Sequence, residues 1–215
     1  MLSEIFKLFW KTVERKDKRR INSQTSPTEI EQFCDIQYID DGLWQHRLDV
    51  YSKSGKLSHR PVIIDIHGGG WMYGTKEINK NYCLVLAQND YVVVNINYRL
   101  APDFSVADQL RDCFFAFKWV STNIEKYGGD LNNVFVTGDS AGGFLAAYSA
   151  LLNSSEKLRR IFGVTESGLE FRACGLTSPV CFMNTHTFQD VYYSRVKGKE
   201  FSESTLRGFE NFDAV

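Results

Sequence analysis

One stretch, residues 134–150 (VFVTGDSAGGFLAAYSA), constrains the fold more than any other part of the chain. An apolar, β-rich run leads into a turn of small residues, and a strongly helical run follows it. Gly138, Ser140 and Gly142 hold the fixed positions of a G-x-S-x-G motif, whose glycines let neighbouring backbone pack against a sharp turn. The serine then projects beside the free N–H groups at the start of a helix. The stretch therefore predicts a nucleophilic Ser140 with the N–H of Ala141 close by.

A second glycine-rich motif, HGGGW at residues 67–71, directly follows the apolar run 61–66. That run is rich in β-branched residues, which predicts a strand buried on both faces. Consecutive glycines after such a strand allow backbone N–H groups to face a bound oxygen instead of a neighbouring strand. We expect the N–H groups of Gly69 and Gly70 to join that of Ala141 in an oxyanion hole.

Together, the two motifs resemble those of the hormone-sensitive-lipase-like branch of the α/β-hydrolase superfamily. YRLAP at residues 98–102 and GGD at 128–130 extend the resemblance, which covers residues 36–180. It implies an α/β-hydrolase fold, with a mostly parallel sheet and helices on both faces. It also implies a serine carboxylic-ester hydrolase that acts on small or short-acyl esters and needs no cofactor and no metal.

The resemblance also assigns roles to residues around the two motifs. Ser140 is the expected nucleophile, and His67 is expected to shape the glycine loop rather than to act as the general base. Asp139, next to the nucleophile, is expected to support the site and not to be the triad acid. The residues expected to support the motif or to line the pocket are His67, Gly68, Trp71, Tyr73 and Asp139.

The triad acid and base are harder to place, because the expected chain order is serine, then acid, then histidine. His186 is the only histidine after Ser140, and Glu166 and Glu170 lie between them. Glu170 immediately precedes the sixth predicted strand, so it would lie at the edge of the sheet opposite the catalytic one. We interpret His186 mainly as a surface or cap residue. The sequence therefore predicts a fold whose C-terminal strands, with the acid and the base, are missing.

Three explanations of this predicted truncation remain open. The chain is a fragment of a longer esterase, its missing strands come from another polypeptide, or it is a non-catalytic pseudo-hydrolase. A parallel strand as apolar as residues 173–180 should not border a sheet in water, because its open edge invites aggregation. We therefore expect another polypeptide or an oligomer contact to cover that edge.

The resemblance implies one truncated hydrolase domain over residues 1–215, with cap elements at about 1–30 and 182–215. A cap role for the first helix is favoured over membrane contact, because its apolar face is modest. Ser26 and Pro27 are a favourable helix start. The predicted elements are a helix over 2–20, a hairpin of 35–39 and 43–51, strands over 61–66, 91–97 and 172–180, helices over 76–89 and 103–127, and a polar connection over 153–170.

Composition excludes several other classes of protein. A net charge of −1 over 215 residues gives no electrostatic basis for binding nucleic acid. The five cysteines are odd in number and lack C-x-x-C spacing, which argues against a disulfide framework or a zinc site. They favour a reducing compartment, and we expect a cytoplasmic protein.

Overall fold

The computed structural model describes residues 2–55, 59–181, 192, 193 and 196. Within these residues six strands form one sheet, and five α-helices surround it. The strands are β1 (Ile30–Gln37), β2 (Arg47–Lys53), β3 (Arg60–Ile66), β4 (Val92–Ile96), β5 (Gly129–Asp139) and β6 (Phe171–Thr177). The helices are α1 (Leu2–Ser23), α2 (Lys80–Gln88), α3 (Val106–Asn123), α4 (Ala141–Ser154) and α5 (Glu156–Phe162), with 3-10 turns at Lys76–Ile78 and Ile124–Tyr127.

The sheet has the strand order β1-β2-β4-β3-β5-β6. β1 pairs with β2 and β2 with β4 in antiparallel fashion, whereas β3, β4, β5 and β6 pair in parallel. Every residue of β4 is buried, as expected for a continuous apolar strand at the centre of a parallel sheet. The predicted antiparallel opening and the mostly parallel α/β sheet are both confirmed.

Apolar side chains pack on both faces of the sheet. The larger core cluster includes Phe114 and Phe117 of α3 and Leu145 of α4. A second, smaller cluster contains Leu84 of α2 and Val93 of β4. Successive strand residues point to opposite faces, so these clusters account for helices on both sides of the sheet.

The pairing of β3 with β5 positions the two glycine motifs side by side. Ile66, the last residue of β3, is in register with Gly138 near the end of β5. Since the strands are parallel, the residues that follow them leave the sheet at the same edge. The HGGGW motif and Ser140 therefore meet in space although about 70 residues separate them in the chain.

Two local predictions were wrong. Residues 24–29 contain no helix after Ser26 and Pro27, and β1 begins at Ile30, because the apolar residues that follow pair with β2. The predicted polar connection over 153–170 contains α5, in which the Ser155 side chain caps the first turn by accepting from the N–H of Leu158. The short seven-residue length of α5 concealed its helical pattern.

β6 borders the sheet in the described part of the chain, where it pairs with β5 alone. Leu176 of β6 is 43% exposed, so this strand is less buried than its apolar sequence predicts. A groove of about 270 Å³ lies across the neighbouring strands and includes Ile63, Phe135 and Ala173 in its lining. The open edge foreseen from the sequence is thus present among these residues.

His46 is buried and lies between the carboxylates of Asp41 and Asp112. The His46 ring is 2.6 Å from Asp41 Oδ2 and 3.2 Å from Asp112 Oδ1, and Arg99 pairs with Asp112. Burial alone would lower the pKa of His46, but the carboxylates of Asp112 and Asp41 outweigh it and raise the pKa above 6.5. Protonated His46 therefore stabilises the fold below about pH 6.5, and this contribution is lost as the pH rises through the raised pKa.

We expect the substitution His46→Gln to lower the free energy of unfolding by about 1–2 kcal/mol at about pH 6, and by clearly less at about pH 9. Urea denaturation of the two proteins at both pH values measures this difference. His59→Gln is the matched control, because His59 is exposed and should change stability little at either pH. An equal loss at both pH values would refute the role assigned to the protonated ring.

Candidate active site

Ser140 lies in a tight turn between β5 and α4, here called the elbow (residues 138–142). Its φ of 50° and ψ of −115° lie in a region that residues with a side chain seldom occupy. The Ser140 N–H donates to the Thr177 carbonyl of β6 at 2.9 Å, and the Ser140 carbonyl accepts from Phe144 and Val180. Bonds from the adjacent strand and helix thus hold the serine in its unfavourable conformation.

The glycines of the elbow allow three backbone segments to cross at van der Waals distance. A Cβ atom on Gly142 would lie 2.0 Å from the carbonyl oxygen of Ile66 and 2.5 Å from that of His67. A Cβ atom on Gly138 would lie 2.4 Å from the Gly142 carbonyl oxygen. The chain has no room for a larger residue at either position, which is the physical basis of the motif.

Residues 67–74 form the glycine loop, and hydrogen bonds fix the carbonyl groups of its first five residues. The His67 carbonyl accepts from the Tyr98 hydroxyl, and the Gly68 carbonyl accepts from Nδ1 of His67. The Gly69 carbonyl accepts from the N–H groups of Met72 and Tyr73. The Gly70 carbonyl accepts from the Tyr192 hydroxyl, and the Trp71 carbonyl accepts from the Ala101 N–H and from Gln109 Nε2. With the carbonyls directed to these donors, the loop cannot rotate its peptide groups freely.

The N–H groups near Ser140 show the complementary pattern. The Gly68 N–H donates to Asp139 Oδ1 at 2.9 Å. In the described part of the chain, no residue accepts a hydrogen bond from the N–H groups of Gly69, Gly70 or Ala141. Gly69 and Gly70 reach this arrangement at φ values of 120° and 57°. Backbone donors without an acceptor among the described residues, next to the elbow, are what an oxyanion hole requires.

The Asp139 carboxylate connects the elbow to the glycine loop. Its Oδ1 atom accepts from the Gly68 N–H at 2.9 Å and from Asn79 Nδ2 at 2.8 Å. A Cβ atom on Gly68 would lie 2.4 Å from Asp139 Oδ2, so glycine is also required for this contact. The supporting role predicted for Asp139 has this geometric basis.

His67 is fully buried, and its surroundings do not suit it to proton transfer. Its Nδ1 donates to the Gly68 carbonyl at 2.6 Å, and its ring stacks on Tyr98 at 4.4 Å. Burial lowers the pKa of His67 to about 4, so the ring is neutral at pH 7. A general base works best with a pKa near the working pH. His67 therefore fits the predicted role of a residue that shapes the loop.

The two aromatic residues predicted to line the pocket lie in different environments. The Trp71 ring is 1% exposed and makes edge contacts with Phe144 and Tyr193, so it belongs to the core. Tyr73 is partly exposed and stacks on Trp10 of α1 at 5.3 Å. The two environments differ because the Trp71 backbone adopts a φ of 62°. This left-handed conformation cannot be recognised from a sequence pattern.

Helix α1 packs directly over the glycine loop. A Cβ atom on Gly70 would lie 2.5 Å from the Trp10 ring and 2.5 Å from the Tyr192 hydroxyl. Tyr73 donates to Asp17 of α1, and a groove of about 440 Å³ runs between the helix and the loop.

Among the helices that the structure describes, none combines the length and the apolar composition needed to cross a bilayer.

The described residues do not supply a base to Ser140. Their three histidines are His46, His59 and His67, and none of these donates to or accepts from the Ser140 hydroxyl. His186 lies outside the described residues. Glu166 is exposed, and Glu170 is exposed at the start of β6, where it pairs with Arg172 at 3.8 Å. The position predicted for Glu170, away from the catalytic edge, is confirmed.

Sequence reasoning missed polar residues that hold the site together. Asn79, Tyr98 and Gln109 each donate from a side chain to the glycine loop or to its partner Asp139. Tyr98 was noted as part of YRLAP, but its hydroxyl contact was not foreseen. Gln109 is fully buried in α3, and a polar residue on an apolar helix face is a signal that could have found it.

Comparison with known proteins gives one family match that covers most of the chain. The model of the BD-FAE family matches residues 48–183. The versiconal hemiacetal acetate esterase of Dothistroma septosporum is 38% identical over 98 residues, which are 45% of this chain and 30% of that protein. The carboxylesterase NlhH of Mycobacterium tuberculosis is 34% identical over 113 residues, 52% of this chain and 35% of that protein.

A solved structure shows the same fold over nearly the whole chain. Esterase B of Lactobacillus rhamnosis, in a crystal structure with a C4-C4 SN3 tributyrin phosphonate, superposes with a TM-score of 0.86 at 32% identity. The superposition covers 91% of this chain and 64% of that protein. The chain thus spans less than two thirds of the length of these relatives. The fold and the resemblance predicted from the two motifs are confirmed.

Proposed function

The chain belongs to the BD-FAE family and has the α/β-hydrolase fold, and we propose that it hydrolyses carboxylic esters with Ser140 as the nucleophile. One observation carries the proposal. Ser140 lies in a turn with an unfavourable backbone conformation, at the sheet edge where the glycine loop also begins, and no described residue accepts a hydrogen bond from the N–H groups of Gly69, Gly70 or Ala141. This combination serves acyl transfer, in which a hydroxyl attacks a carbonyl whose oxygen becomes negative.

The proposed reaction has two steps. Ser140 Oγ bonds to the ester carbonyl carbon as its proton passes to a general base, and the carbonyl oxygen becomes an oxyanion held by the three N–H groups. The intermediate collapses, the alcohol leaves with the proton, and an acyl-serine remains. Water then attacks the acyl-serine and releases the acid. Each N–H donor lowers the barrier by about 3 kcal/mol, because it binds charge that develops only in the transition state.

We propose that the base and the triad acid come from outside the described residues. His186 is one candidate for the base, and strands that pair with the open edge of β6, from a longer form of this chain or from another polypeptide, are the other source. The second source fits the edge position of β6 and the exposure of Leu176. Both sources leave the assignment of Ser140 unchanged, because the nucleophile and its N–H groups lie in the described part.

The proposed substrates are small or short-acyl esters. Two similar proteins support this choice, since one is named for a hemiacetal acetate and the other was crystallised with a tributyrin phosphonate. Helix α1, packed over Gly70 through Trp10, acts in this proposal as part of a cap that limits the space beside the site. We place the protein in the cytoplasm, in keeping with free cysteines at all five positions.

The test is hydrolysis of p-nitrophenyl esters of increasing acyl length by the purified protein. We expect kcat/KM for the acetate and butyrate to exceed that for the palmitate by about 100-fold, since each misfitted methylene loses binding energy. Turnover of the long ester at an equal rate would contradict the substrate class. No turnover of any ester by folded protein would instead favour the alternative, a non-catalytic pseudo-hydrolase or an inactive fragment that lacks the triad acid and histidine.

A further inference from the structure

Asn79 lies between the 3-10 turn at Lys76–Ile78 and α2, at the position that usually caps a helix with its side chain. Asparagine is favoured there because its side-chain oxygen can accept from the first N–H groups of the helix. Asn79 makes no such bond. Its side-chain amide instead donates to Asp139 Oδ1 at 2.8 Å and to Asp65 Oδ2 at 3.0 Å. The side chain thus faces the site and not its own helix.

The two carboxylates that Asn79 bridges belong to the two strands that carry the site. Asp65 lies in β3, two residues before His67, and Asp139 ends β5, directly before Ser140. Asp139 also accepts the Gly68 N–H at 2.9 Å. One amide group therefore joins the strand of the glycine loop, the strand of the elbow and the loop itself.

The electrostatics of this contact favour a hydrogen-bond donor at position 79. Asp65 is 1% exposed, and its burial, with a further contribution from the charge of Asp139, raises its pKa to about 7. The bond from Asn79 opposes that rise, because it stabilises the ionised form. Without the amide, the two carboxylates would lose the donor that they share. Asp65 would retain the Cys83 thiol and Asp139 the Gly68 N–H, and one fewer contact would hold Asp139 in its orientation towards Gly68.

From these contacts we propose that Asn79 is a positioning residue for the oxyanion hole. It holds Asp139 in the orientation that fixes the Gly68 peptide, and so sets the direction of the Gly69 and Gly70 N–H groups relative to Ser140. This inference rests on the proposed ester hydrolysis for its kinetic consequence. Its structural content, the fixed orientation of Asp139 and Gly68, does not depend on any activity.

The first test compares Asn79→Leu, which removes both donors at similar volume, with the wild-type protein. We expect kcat for p-nitrophenyl acetate to fall by about 10- to 100-fold with KM changed less than about 3-fold, because oxyanion donors act in the transition state. Asn89→Leu is the matched control. Asn89 is exposed at the other end of α2 and donates only within that helix, so its replacement should leave kcat unchanged. Equal losses in the two variants, or a change in KM alone, would overturn the proposal.

The second test needs neither activity nor a variant. In NMR spectra of the wild-type protein, we expect the two side-chain amide protons of Asn79 and the Gly68 backbone N–H to exchange with solvent at least about 10-fold more slowly than the Asn89 side-chain amide. Rapid exchange of the Asn79 protons would refute the bridge. If the wild type hydrolyses no ester while these protons are protected, the proposed function fails and the bridge stands.

Discussion

Replacement of Ser140 by alanine is expected to reduce ester hydrolysis by at least about 10⁴-fold while the protein remains folded. The hydroxyl is the proposed nucleophile, so its loss removes the covalent route and leaves only the stabilisation provided by the three N–H groups. Alanine keeps the Cβ atom, so the backbone strain at a φ of 50° remains and the stability should change by less than about 1 kcal/mol. Initial rates with p-nitrophenyl acetate, together with thermal melts, measure the two effects separately.

Ser154→Ala is the matched control for this experiment. Ser154 is the last residue of α4, the helix that follows Ser140. It is exposed, and its hydroxyl donates to the Leu151 carbonyl. We expect it to retain at least about half of the wild-type activity, as surface substitutions usually change stability by less than about 0.5 kcal/mol. If the Ser140→Ala variant retained its activity, Ser140 could not be the nucleophile.

The second large effect is expected at Gly142, where any side chain meets backbone on two sides. A Cβ atom there would lie 2.0 Å from the Ile66 carbonyl oxygen and 2.5 Å from that of His67. Neither oxygen can move without displacing the end of β3, so Gly142→Ala should lower the free energy of unfolding by about 3 kcal/mol. It should also abolish measurable activity, because the displaced segment leads into the glycine loop.

Gly175→Ala provides the comparison for Gly142→Ala. Gly175 lies in β6, and a Cβ atom there would meet only the Thr137 side chain, at 3.1 Å and beyond. We expect a change of less than about 1 kcal/mol in urea denaturation, since a side-chain tip can yield where a carbonyl oxygen cannot. Similar losses in the two variants would show that the elbow tolerates a Cβ atom and that its packing is looser than described.

The sequence predicted most of the framework on which these experiments rest. Alternating apolar runs and helical patterns were enough to place the parallel strands, because burial on both faces leaves a continuous apolar signal such as that of β4. The two glycine motifs located the elbow and the loop, since close backbone approach leaves no alternative residue. Asp139 was recognised as a supporting residue through the resemblance, and the structure adds the Gly68 contact.

Other features depend on contacts between distant residues and leave no local pattern. Asn79 falls within the helix predicted over residues 76–89, and only the fold brings its amide to Asp65 and Asp139. Trp71 was assigned to the pocket through the resemblance, but its backbone conformation at a φ of 62° accompanies a ring that lies in the core. Short elements such as α5 escape detection because seven residues give too few turns for a period to show.

The central claim is that the Ser140 hydroxyl is activated and faces N–H groups of the glycine loop. Reaction of the purified protein with a fluorophosphonate, followed by peptide mass spectrometry, tests it most directly, since the reagent bonds to an activated serine and places its P–O oxygen in the oxyanion hole. We predict one adduct per chain, located on Ser140 and absent from the Ser140→Ala variant. A folded protein that forms no adduct, or forms it on another residue, would contradict the account.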